Sequence, residues 1–127
     1  MDKDYTSRIV LGGEAYDLKL SLKATKKITK RYGGLEKLGD KLLEADSFEQ
    51  IIDEVVWLVT LLANQSIETF NFKHPDNQKS LLTEDAVEVF ATPKDLLTYR
   101  GAIIEALTKG TQRHIESEPD PKNAAVG

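Results

Sequence analysis

The run from Ile51 to Leu62, Ile-Ile-Asp-Glu-Val-Val-Trp-Leu-Val-Thr-Leu-Leu, constrains the fold more than any other part of the chain. Its apolar residues do not repeat every second position, as a half-buried strand requires. At 100° per residue they fall on nearly every side of a helix, and such a helix is buried on most sides. Ser47-Phe48-Glu49-Gln50 just before it has the form of a capping box, with acidic residues at the positive end of the helix dipole. The spacing predicts a central helix from Ser47 to about Asn64 or further. The run is too short for the ~18 apolar residues of a membrane span. A 127-residue chain suits one domain, and the run has more apolar faces than so small a bundle easily covers, so part of it is expected to hold another polypeptide.

The covering elements are legible by period. Residues Ser7 to Leu20 read as a β-hairpin turning at Gly12-Gly13, with Ile9 opposite Tyr16 and Arg8 opposite Asp17. Ile9, Leu11, Tyr16 and Leu18 then share one face, which needs helices beneath it because a lone hairpin is marginal in water. Ser21 caps a helix whose stripe is Leu22, Thr25, Ile28, Tyr32 and Leu35, and Gly33-Gly34 stops it. A short helix follows over about Leu35 to Glu44, weakened by Gly39. After the central helix, Asn71 to Ser80 reads as a polar loop with a Pro-Asp-Asn turn. Thr83 caps a short helix that Leu82 staples to Val87. Thr92-Pro93 opens the last helix, with stripe Leu96, Leu97, Ile103, Ile104 and Leu107 and an end at Lys109-Gly110. Together these predict a mainly α protein, a small bundle of about four to five helices with an N-terminal β-hairpin (α+β by strict count). Residues 1–116 form one domain and 117–127 a disordered acidic tail.

Charge is segregated along the chain. Residues 19–41 hold eight bases against two acids, a charge of +6 in a chain of −4, which leaves −10 for the rest. Glu44, Asp46, Glu49, Asp53 and Glu54 follow at once as an acidic block. The simplest reading is a solvated basic helix face answered by a neighbouring acidic one. Lys23, Lys26, Lys27, Lys30 and Arg31 are the candidate electrostatic contacts, either with an acidic client or with the acidic block of a neighbouring copy.

Catalytic signatures are missing from the sequence. With no cysteine there is no disulfide, thiolate metal site or cysteine nucleophile. His74 and His114 lie in no metal-ligand spacing, and no phosphate-binding glycine loop or nucleophile elbow occurs. Asp53 and Glu54 are adjacent on a helix, so their side chains diverge by about 100° and do not form an acid/base pair. These features predict a non-enzymatic protein without cofactor or metal. The polar start Met1-Asp2-Lys3-Asp4 shows no signal-peptide core, so a soluble intracellular location is expected.

The stretch Leu22-Lys-Ala-Thr-Lys-Lys-Ile-Thr-Lys-Arg-Tyr-Gly-Gly-Leu35 carries a resemblance, together with Asp53-Glu-Val-Val-Trp-Leu-Val-Thr-Leu-Leu-Ala-Asn-Gln65 and the closing Lys109-Gly-Thr-Gln-Arg113. The chain resembles the tail assembly chaperones of long-tailed phages and prophages of Gram-positive bacteria. The resemblance implies a protein of the bacterial host cytoplasm, absent from the mature virion. It implies one that binds the tape measure protein and recruits tail-tube subunits. It supplies no motif residues, so any site is read from the chain itself.

A chaperone for a long helical client needs apolar surface, a charged rim and a means of lining up copies, for which homo-oligomerisation would serve. Helix-in-groove recognition predicts a groove beside the central and last helices, with Trp57, Leu61, Tyr99 and Ile103 as partner contacts. The alternatives are a nucleic-acid-binding protein or a structural virion (connector) component using the basic 19–41 segment. Net charge and the absence of a base-reading motif argue against nucleic acid. Purified particles separate the connector reading, which requires the protein there, from the chaperone reading, which requires its absence.

Overall fold

Two glycines with positive φ, Gly12 at 61° and Gly13 at 85°, turn the chain so that β1 (Thr6–Leu11) pairs antiparallel with β2 (Glu14–Lys19). The register is the expected one, with Ile9 opposite Tyr16 and Arg8 opposite Asp17, and Arg8 Nε lies 3.0 Å from Asp17 Oδ1 on the outer face. A computed structural model describes residues 6–44 and 47–117. Among them are this hairpin and five helices: α1 (Leu22–Tyr32), α2 (Leu35–Leu43), α3 (Phe48–Lys73), α4 (Glu84–Phe90) and α5 (Asp95–Ser117). Of the acidic tail expected over 117–127, Ser117 is the last residue of α5, and residues 118–127 lie outside the described residues, as does Asp46 of the acidic block.

The hairpin lies across two helices, β2 on α3 and β1 on α5. Ile9, Leu11 and Leu18 are buried there with Val55, Leu58, Val59 and Leu62 of α3 and Tyr99, Ile103 and Ala106 of α5. Three bonds latch α5 to β1. Ser7 Oγ donates to the Ala102 carbonyl at 2.6 Å, Tyr99 Oη to the Val10 carbonyl at 2.7 Å, and Lys109 Nζ to the Thr6 carbonyl at 3.1 Å. On the other side α1 and α2 pack on α3, and Arg100 of α5 donates to the Leu42 carbonyl at the end of α2.

The expected caps form. Ser21 Oγ accepts from Ala24 N–H, Ser47 Oγ from Gln50 N–H and Thr83 Oγ1 from Ala86 N–H. Gly33, at φ 95°, ends α1 in the left-handed conformation.

Four expectations need correction. The loop expected over 71–80 begins three residues later, because α3 continues through Asn71-Phe72-Lys73. Asn71 spends its amide on the returning chain instead of breaking the helix. Its Nδ2 donates to the Lys79 carbonyl at 3.0 Å and its Oδ1 accepts from Lys79 N–H at 2.8 Å. Asn64, two turns earlier, grips Leu82 in the same two-bonded way at 2.9 and 2.7 Å. At the start of the last helix, Pro93 and Lys94 form a tight turn, with Asp95 N–H donating to the Thr92 carbonyl and Leu96 N–H to the Pro93 carbonyl. The regular helix α5 therefore opens at Asp95, whose Oδ2 accepts from the amide and hydroxyl of Thr92.

The last helix also runs on past Lys109-Gly110 to Ser117. Gly110 is there for clearance: a Cβ would stand 2.8 Å from Leu20 Cβ. Finally, both apolar stripes are narrower than expected. Ile28 and Tyr32 face the core from α1 together with Ala24, and Leu35 from the start of α2, while Leu22 is 90% exposed. On α5, Leu96, Ile103 and Leu107 face the core, while Leu97 and Ile104 point outward.

Glycine substitutions in the helices test this packing. Gly110→Ala gains about 1 kcal/mol of helix propensity, but the overlap with Leu20 outweighs it. Thermal unfolding of that variant is expected at lower temperature than the parent. Gly39→Ala and Gly101→Ala meet nothing within 4 Å and are expected to raise the midpoint by a few degrees.

Candidate functional site

The four expected partner contacts are not brought to one surface. Tyr99 is 2% exposed and Ile103 fully buried, so both belong to the core. Leu61 is half-buried against it. Trp57 is covered by α1: Arg31 lies 4.4 Å above its ring and Tyr32 meets it edge-on at 6.0 Å. The reason is the number of neighbours. The hairpin, α1, α2, α4 and α5 all lean on α3 and conceal most of its apolar sides.

The basic candidates divide in two. Lys23 Nζ pairs with Glu68 at 2.9 Å, and Arg31 with Glu54 at 3.4 Å. Tyr32 Oη also donates to Glu54, closing an Arg31–Tyr32–Glu54 cluster over Trp57. This much is the neutralised face that the charge pattern suggested. Lys26, Lys27 and Lys30 are exposed and form no ion pair or hydrogen bond among the described residues.

Two grooves flank α3. The larger, of about 830 Å³, lies between β2 and the C-terminal half of the helix. Ser66, Ile67 and Phe70 form its floor, Glu14 to Asp17 one wall, and Lys79-Ser80 the other. The far wall is the chain returned by Asn64 and Asn71, and Lys79 Nζ sits 4.3 Å over the Phe70 ring. The smaller groove, of about 370 Å³, runs between the first turns of α3 and the α4–α5 connection. It has an apolar lining, Ile52, Val56, Ala91, Pro93 and Leu96, rimmed by Glu49, Asp53 and Glu88. It lies beside the central and last helices, and none of the four expected contacts lines it.

The wall formed by β2 can form backbone hydrogen bonds. In a two-residue hairpin the pair flanking the turn exchanges hydrogen bonds, and every second pair after it turns its amides and carbonyls outward. The bonds from Tyr99 to Val10 and from Lys109 to Thr6 identify Val10 and Thr6 as outward-facing on β1. Their partners Ala15 and Lys19, and Asp17 between them, therefore face outward on β2. Side chains of α5 cap the β1 edge. Among the described residues no backbone partner meets Ala15 or Asp17. Sequence reasoning missed this site. Its signal was the alternation of the hairpin itself, whose second strand had no third strand to pair with.

Among the described residues no group of three or more His, Cys, Asp or Glu side chains is placed to hold a metal ion. No helix among them is long and apolar enough to cross a membrane.

The Tyr32 cluster gives the molecule an alkaline weakness. Burial first, then the hydrogen bond to Glu54, raises the phenol's pKa above its ordinary 10.0, against an opposing pull from Arg31. Folding thus favours the neutral phenol; that stability is complete below pH 10.0 and lost as the pH climbs beyond it. Tyr32→Phe is expected to cost about 1–2 kcal/mol at neutral pH. Urea titrations from about pH 9 to pH 11 should show a shallower decline in that variant than in the parent.

No protein-family model, no curated protein and no solved structure matches the chain.

Proposed function

We propose that the chain is a non-enzymatic tail assembly chaperone of a long-tailed phage or prophage. It binds the tape measure protein and recruits tail-tube subunits in the host cytoplasm, and it is left out of the finished virion. The resemblance of residues 22–35 and 53–65 to such chaperones suggests the class.

The observation that carries a protein-binding role is the larger groove. An open strand edge, Ala15 to Asp17, borders an apolar floor at Ile67 and Phe70 in a space of about 830 Å³. An unpaired edge is a template for another chain, and natural proteins cover such edges unless they use them. The groove suits a client segment that enters extended. Its backbone hydrogen-bonds to β2, and alternate side chains drop onto the floor. The charged walls, with Glu14 and Asp17 on one side and Lys79 on the other, keep the empty groove wetted. The buried Tyr99 and Ile103 have no part in this mechanism.

Co-expression with a candidate tape measure protein tests the proposal. The parent chain is expected to keep the tape measure protein soluble. Ala15→Pro removes one outward N–H without touching the hairpin's own bonds, and Ser66→Trp fills the floor. Both variants are expected to fold with near-parent midpoints and to recover at least about tenfold less client, the equivalent of one or two lost hydrogen bonds. A client that stays insoluble with the parent chain would overturn the chaperone reading. Groove variants as effective as the parent would overturn this placement of the site.

A further inference from the structure

We infer that the smaller groove receives the α1 face of a second copy of this chain, so that copies join head to tail. The groove is apolar at its base, through Ile52, Val56 and Leu96, and carries Glu49, Asp53 and Glu88 on its rim. No basic residue lines it, and among the described residues none of the three acids has an ion pair or hydrogen bond.

The chain itself presents the complement. Leu22 stands 90% exposed at the start of α1, with Lys26 and Lys30 one and two turns along the same side and Lys27 beside them. Among the described residues these three lysines have no ion pair or hydrogen bond. Glu49 and Asp53 are likewise one turn apart on α3, so two helices laid side by side bring the charge pairs into register beside an apolar knob at one end of the row.

The two surfaces lie on different sides of the molecule. α1 covers the α3 face that carries Glu54, Trp57 and Glu68. The groove opens about a third of a turn away, on the face carrying Glu49, Ile52, Asp53 and Val56. A copy with its groove filled therefore still offers its own α1. Such a contact is heterologous and repeats from copy to copy, giving a ring or an open row rather than a closed pair. The inference is independent of the client groove, which occupies the opposite half of α3.

Sedimentation or light-scattering mass measurements test it with two neutralised variants of the full chain. One lacks the knob and its lysines (Leu22→Ala, Lys26→Gln, Lys30→Gln); the other lacks the rim charges (Glu49→Gln, Asp53→Asn, Glu88→Gln). The parent mass should rise with concentration at low salt. Its association should weaken at least about tenfold between 0.05 and 0.5 M salt. Each variant alone should stay monomeric. Mixed, they should form a 1:1 pair that grows no further, since one partner keeps only the knob and the other only the groove. A parent that stays monomeric at low salt would overturn the inference, as would a variant that still assembles alone or a mixture that does not pair.

Discussion

A helix that is oily on most of its circumference has to be surrounded, and α3 sets the position of everything else in this molecule. It runs 26 residues, about 39 Å, with Val55, Val56, Leu58, Val59, Leu62 and Ala63 all buried. One hairpin and four helices share the task of covering it. Each is too small or too weak to persist alone: β1 and β2 are six residues long, and α4 has seven. The cooperativity of the fold follows, because removing any one cover exposes a strip of α3.

Surrounding one cylinder with short pieces leaves seams, and the two grooves are seams of this kind. One lies where β2 and the returning chain fail to meet over Ile67 and Phe70, the other where α4 hands over to α5 above Ile52 and Val56. Their chemistry differs because their walls do. A strand edge offers amides and carbonyls, whereas the acidic first turns of α3 and Glu88 of α4 offer charge over an apolar base.

How much could be read from the residues follows from the range of each interaction. The hairpin register and the Ser21, Ser47 and Thr83 caps are set within a few positions along the chain, and all were legible. What escaped depends on partners far away in sequence. Asn71 looks like a helix breaker until Lys79 arrives to satisfy its amide, and Gly110 looks like a stop until Leu20 lies against it. Periodicity placed Ile103 on an apolar stripe correctly, but whether a stripe faces a neighbour or a groove is a tertiary matter. The same ambiguity turned Leu22 outward: it shares α1 with Ala24 and Ile28, and the small Ala24 is what sits flush inside.

The amide grips of Asn64 and Asn71 give one wall of the larger groove a different temperature response from the wall opposite. Leu18 and the face of β2 are held by apolar burial, whose hold weakens on cooling. The strap from Lys79 to Leu82 is fastened chiefly by four hydrogen bonds to two carboxamides, whose exchange with water carries little heat capacity and of the opposite sign. Chilling therefore loosens the strand side of the cleft before it loosens the strap, so the floor between them is bounded by one thermally stiff margin and one thermally soft margin.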